Sequence, residues 1–263
     1  MPTIERDGVR IYYEAAGEGY PILFTHGFSA TAEMWRPQLE PMSSRYRFLT
    51  WDMRGHGRTD SPPSLEQYSE VATVADMAAI LDAEAAQQAV IGGLSLGGYM
   101  TLAFWYAHPE RCRALVLCDT GPGYRNPTAR EQWNETAEQR AVAFETRGFE
   151  ALGRSPEVAQ TASGHRSAQG LANAARGMLK QFDARIIEAL PNINVPVLII
   201  VGENDRPYLA GTDYMAAKIP GARKVVIADA GHSSNIDQPA VFNEALLGFL
   251  NDVGVPSRAK AGA

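Results

Sequence analysis

Apolar and polar positions change their period several times along the chain. Residues 9–15 alternate with a period of two, as a strand with one covered face does. Residues 21–25 (Pro-Ile-Leu-Phe-Thr) are nearly all apolar, which suits a strand covered on both faces of a sheet. A helix is predicted over 33–42 and a strand over 47–51. The clearest amphipathic helix spans 69–86, where Val71, Val74, Ala75, Ala78, Ala79 and Leu81 form the apolar stripe and Glu70, Asp76, Asp82 and Glu84 the polar face. A short strand at 89–91, a buried helix at 98–106 and a strand at 114–118 follow; strands at 195–201 and 224–228 and a helix at 240–250 complete the pattern. Strands alternating with helices predict an α/β fold whose largely parallel sheet is joined by right-handed crossovers.

Between 123 and 190 the alternation stops. This stretch is helix-prone, longest at 128–146, and contains no strand pattern. It reads as a helical cap inserted into the α/β core and lying over the strand ends. The expected organisation is a core of 1–122 and 191–254, a cap of 123–190, and a tail of 255–263 without order.

At 263 residues the chain can bury a large core, and its 45% hydrophobic and 21% charged content is that of a soluble globular protein. A net charge of −6 supplies no field to draw nucleic acid or an anionic membrane, so neither is an expected partner. Glu5, Arg6, Asp7, Arg10, Glu14 and Glu18 interrupt any signal-peptide core, and no apolar run is long enough to span a bilayer; a cytoplasmic location is the expectation. Cys112 and Cys118, near a helix end and inside a strand pattern, read as packed thiols rather than a disulfide or a zinc site.

The candidate chemistry starts at Gly93-Leu94-Ser95-Leu96-Gly97, between a strand pattern and a helix pattern. A serine at such a junction can sit on a sharp turn with its hydroxyl pushed out of the sheet, and the flanking glycines let the turn close. A hydroxyl is a poor nucleophile at neutral pH and needs a base, which in turn needs a partner to hold its tautomer. Of the five histidines, His232 has the right setting: it follows a strand, and in a parallel sheet its loop opens on the same edge as Ser95. Asp205, also just past a strand, is the natural partner, with Asp119 as the competing acid and Glu203 as a solvated neighbour. The backbone N–H groups of Leu96 and Phe28 are candidate oxyanion donors. His26 is expected to orient the Phe28 loop, His56 to pack a loop or lie at the surface, His108 to close a helix, and His165 to face solvent from the cap. Trp35, Trp133 and Phe144 are candidate walls of an apolar substrate pocket, with core packing as the competing reading.

Taken together, His26-Gly27-Phe28, Asp52-Met53-Arg54-Gly55-His56-Gly57, Gly93-Leu94-Ser95-Leu96-Gly97-Gly98, Gly202-Glu203-Asn204-Asp205 and Gly231-His232 resemble the α/β-hydrolase superfamily over nearly the whole chain. The order Ser95, Asp205, His232 is the nucleophile–acid–base order of that superfamily. The nearest likeness is to small bacterial esterases and lactonases of the 3-oxoadipate enol-lactonase and cofactor-free haloperoxidase types. The resemblance implies an eight-stranded, mostly parallel sheet with a helical cap, no metal or organic cofactor, and a small ester or lactone as substrate. It also implies a serine hydrolase mechanism. Serine rather than aspartate at position 95 argues against haloalkane dehalogenase and epoxide hydrolase chemistry. A haloperoxidase-like or carbon–carbon hydrolase activity is the enzymatic alternative, and a hydrolase-fold ligand receptor is the alternative of another class.

Overall fold

The computed structural model describes residues 2–258. Its strands are β1 (Thr3–Arg6), β2 (Val9–Ala16), β3 (Pro21–Thr25), β4 (Arg47–Trp51), β5 (Ala89–Leu94), β6 (Cys112–Cys118), β7 (Val197–Gly202) and β8 (Arg223–Ile227). They form one eight-stranded sheet in the order β1-β2-β4-β3-β5-β6-β7-β8, antiparallel at β1/β2 and β2/β4 and parallel elsewhere. The α/β-hydrolase fold inferred from the sequence is the fold observed. Seven strands fall where the pattern puts them. β1 was not foreseen: it is a four-residue edge strand with only alternate residues partly covered, too short for a periodic signal.

The helices are α1 (Arg36–Ser43), α2 (Glu70–Ala83), α3 (Leu96–Ala107), α4 (Pro127–Arg147), α5 (Pro156–Ala159), α6 (Ala168–Ala174), α7 (Arg185–Ala189), α8 (Arg206–Lys218), α9 (Ser234–Asp237) and α10 (Pro239–Asp252). Local chemistry sets their ends. The Ser69 hydroxyl accepts from the Ala72 N–H at 3.0 Å to cap α2, and the Asn126 side chain accepts from Thr128 N–H at 2.8 Å to cap α4, with Pro127 in its first turn. One core lies under α2 and α3; a second, on the other sheet face, lies under α1 and α10. No helix among the described residues is long and apolar enough to cross a membrane.

Between β6 and β7 the described chain is helical, and α4 packs on α6 through a buried stripe of Ala137, Ala141 and Phe144. Arg176 and Lys180 pair with Glu138 at 2.7 Å each, tying α4 to the chain that follows α6. Of the tail expected to lack order, 259–263 lie outside the described residues. Its start is held, because Val255 is buried in the second core and the Arg258 N–H donates to the Arg45 carbonyl at 2.8 Å. Both cysteines are buried and unbridged.

One buried ion pair positions the loop after β4. Arg54 and Asp76 are almost wholly enclosed and joined by two hydrogen bonds of 2.7 and 2.9 Å, with Arg6 adding a third to Asp76 at 2.6 Å. Removing one partner of such a pair leaves an uncompensated buried charge. Asp76→Ala is therefore expected to lower unfolding free energy by about 3–5 kcal/mol in chemical denaturation. A loss below about 1 kcal/mol would mean that water reaches Arg54 after all.

Candidate active site

The parallel strands deliver three side chains to one edge of the sheet. Ser95 sits between β5 and α3, as the N-cap of α3, with φ 55° and ψ −116°, a backbone conformation disfavoured for a residue with a Cβ. The turn closes only because its flanks are glycines: a Cβ on Gly93 would lie 2.4 Å from the Gly97 carbonyl carbon, and one on Gly97 2.2 Å from the Thr25 oxygen. Asp205 follows β7 at the N-cap of α8, and His232 lies in the loop between β8 and α9. All three line a cavity of about 880 Å³ between the sheet edge and α4.

His232 Nδ1 lies 2.9 Å from Asp205 Oδ2, so Nδ1 holds the proton and donates while Nε2 is left as the basic atom. Burial works against protonation of this imidazole. The hydrogen bond and charge of Asp205, with the charges of Asp119 and Glu157, outweigh burial and hold its pKa above the ordinary histidine value. The competing acid, Asp119, is fully buried and turned elsewhere: it accepts from the Gly202 N–H at 2.8 Å and the Ser234 hydroxyl at 2.5 Å. Burial pushes its carboxyl up to about 7, against those two hydrogen bonds.

The backbone N–H groups of Phe28 and Leu96 have no hydrogen-bond partner among the described residues, and both residues line the cavity. The Phe28 loop is built by three histidines. His26 Nε2 accepts from the Met53 N–H at 3.0 Å and its Nδ1 donates to the Gly27 carbonyl at 2.7 Å. At Ser29, which has φ 58°, His56 Nε2 accepts from the N–H at 3.1 Å and His165 Nε2 donates to the carbonyl at 2.9 Å. Each ring thus needs one bare nitrogen and is held neutral; burial takes His26 down to about 3, His56 well below the ordinary value, and His165 below it. His165 was expected to face solvent. It is instead buried against this loop, its Nδ1 accepting from the Gly57 N–H at 3.2 Å.

Of the predicted pocket walls, Trp133 and Phe144 line the cavity from α4, with Phe144 edge-on to Phe28 at 6.1 Å. Trp35 does not. It is buried in the core on the other sheet face, edge-on to Phe24 at 4.9 Å, because the turn after β3 carries it away from the strand ends. Sequence reasoning also missed Tyr208, which lines the cavity beside Ser95 and whose ring stacks on His232 at 4.7 Å; burial raises its pKa, so it keeps its proton. Its place three residues past Asp205, in the first turn of α8, was the available signal.

The model of the alpha/beta hydrolase family matches residues 22–245. A Bacillus subtilis protein provisionally named 2-succinyl-6-hydroxy-2,4-cyclohexadiene-1-carboxylate synthase is 31% identical, the match covering 94% of this chain and 97% of that one. The 3-oxoadipate enol-lactonase 1 of Acinetobacter baylyi is 30% identical over 88% of this chain and 89% of its own. Among solved structures, a thermophilic esterase from Thermogutta terrifontis superposes with a TM-score of 0.82 at 28% identity, covering 95% of this chain and 97% of that chain.

Proposed function

The chain belongs to the alpha/beta hydrolase family, and from that premise we propose that it is a serine hydrolase cleaving a carboxylic ester or lactone. The observation that carries this reading is the convergence of a serine on a strained strand-to-helix turn with a carboxylate-held histidine in one cavity. Ser95 Oγ attacks the carbonyl carbon while His232 Nε2 takes its proton. The N–H groups of Phe28 and Leu96 receive the developing oxyanion, each worth about 3–4 kcal/mol of barrier. The imidazolium, paired with Asp205, returns the proton to the departing alkoxide. Water, deprotonated by His232, then attacks the acyl-enzyme, and the acid leaves. Only the neutral imidazole can start this sequence, so the rate should fall as pH drops through the raised pKa of His232.

The cavity also suggests what kind of ester. Arg140 and Arg147 lie on the cavity face of α4, seven residues apart, and neither has a carboxylate partner among the described residues. An ester whose acyl chain ends in a carboxylate suits them. Arg140→Met should raise KM about tenfold for 4-nitrophenyl hemiglutarate and leave KM for 4-nitrophenyl pentanoate unchanged. Equal changes for both substrates would remove Arg140 from recognition.

Intact-mass labelling with a fluorophosphonate, beside turnover of short 4-nitrophenyl esters and simple lactones, tests the function. One adduct on the wild type and none on Ser95→Ala, with turnover, supports the proposal. No adduct and no turnover would reject it and favour a ligand receptor.

A further inference from the structure

Three consecutive side chains, running from the histidine loop into the first residue of α9, are each bound to a different carboxylate. His232 is bonded to Asp205 after β7, Ser234 to Asp119 after β6, and Ser233 to Glu157 from α5, in the helical segment above the sheet. The first two carboxylates belong to the strand ends that build the site. The third comes from an element the sheet does not position.

Glu157 is only 4% exposed and lines the cavity. One of its oxygens accepts from the Ser155 hydroxyl at 2.5 Å and the other from the fully buried Ser233 hydroxyl. It forms no ion pair with lysine or arginine among the described residues, although an enclosed carboxylate without a cation is costly. The titratable group nearest its serine partner is His232, one residue along from Ser233 in the same cavity, and the Glu157 charge favours the protonated form of that ring. The other groups facing that ring are Asp205 and Asp119 from the strand ends and the Tyr208 phenol from α8.

We propose that Glu157 is a positioning residue for His232: through Ser233 it ties the helical segment to the histidine loop, and it gives the imidazolium formed during turnover an anionic neighbour beyond those at the strand ends. The inference rests on the serine hydrolase reading. The helical segment then does more than wall the substrate cavity. Its docking completes the surroundings of the base, so a displaced segment leaves His232 with less support for its charge.

The two parts of the proposal separate by substitution. Glu157→Gln keeps the size and one acceptor oxygen, its amide nitrogen meeting the second serine hydroxyl as a donor, and removes the charge; Ser233→Ala removes the tie but keeps the charge; Glu157→Asp restores the charge at shorter reach. The readout is kcat/KM against pH on one activated ester, beside the His232 ring-proton NMR titration, which needs no turnover. For Glu157→Gln the acid limb and the His232 titration should both move to lower pH, the variant-to-wild-type ratio rising about threefold from the plateau to the acid side. Glu157→Asp should bring the limb back towards wild type. Ser233→Ala should keep the wild-type limb and lose about tenfold in plateau kcat with KM unchanged. A Glu157→Gln profile parallel to wild type, with an unmoved His232 titration, overturns the electrostatic part; an undiminished Ser233→Ala plateau overturns the tie. If Glu157→Gln does not fold, Glu157→Ala, which also removes the charge, takes its place in the same two readouts with the same expected and overturning outcomes. Absence of wild-type turnover and of a fluorophosphonate adduct would instead reject the hydrolase reading, leaving the NMR titration to test the contact itself.

Discussion

Replacing Ser95 with alanine is expected to reduce kcat about a million-fold on the best ester or lactone, with the unfolding midpoint close to wild type. Nothing else in the cavity can take its place at the turn. Asp205 is bonded to His232, and Asp119 is buried behind Ser234. Tyr208 keeps its proton, because burial raises its pKa. The backbone at position 95 has a positive φ that alanine tolerates no worse than serine, so the strain of the turn is unchanged. What remains is binding plus the Phe28 and Leu96 N–H groups, which in such sites still give roughly 10³–10⁴ over water. Steady-state kinetics beside thermal unfolding check this. A variant within tenfold of wild-type kcat would remove Ser95 as the nucleophile, and a collapsed midpoint would show the serine to be a folding residue.

How much of this was readable in the sequence depends on what sets each position. The buried parallel strands β3, β5, β6 and β7 are apolar runs, and their C-terminal ends must open on one edge. With β8, which runs parallel to β7, that edge brings Ser95, Asp205 and His232 together from the chain order alone. Trp35 failed for a different reason. The turn Ala32–Trp35 could face either side of the sheet, and the hydrophobic pattern is the same for a core wall and a pocket wall. His165 and Glu157 were unreadable because their burial is created by docking of the helical segment, through contacts to Ser29 and Ser233 that lie 136 and 76 residues away in sequence. The antiparallel edge strand β1 lacked the length to show a period.

The choice between Asp205 and Asp119 gives the second large effect. Asp205→Asn is expected to lower kcat by about 10⁴. The asparagine amide can offer its N–H₂ to His232 Nδ1, which drives the proton to Nε2 and leaves no base facing Ser95. It also removes the hydrogen bond and charge that hold the imidazole above its ordinary pKa. Since the working form is the neutral ring, loss of that support lets the residual activity persist to lower pH than in wild type, so the acid limb moves down as the plateau collapses. Asp119→Asn should behave otherwise. Burial puts that carboxyl at about 7, so near neutrality much of it is already uncharged, and an amide is a close copy of the protonated acid. Its oxygen can still accept from the Gly202 N–H, and the lost negative charge acts on His232 without a hydrogen bond to it. A fall of no more than about tenfold follows. The two variants, measured on one substrate across pH 5–9, decide the acid: if Asp119→Asn costs more than Asp205→Asn, His232 takes its orientation from β6 rather than β7, and the 2.9 Å bond to Asp205 belongs to a resting arrangement.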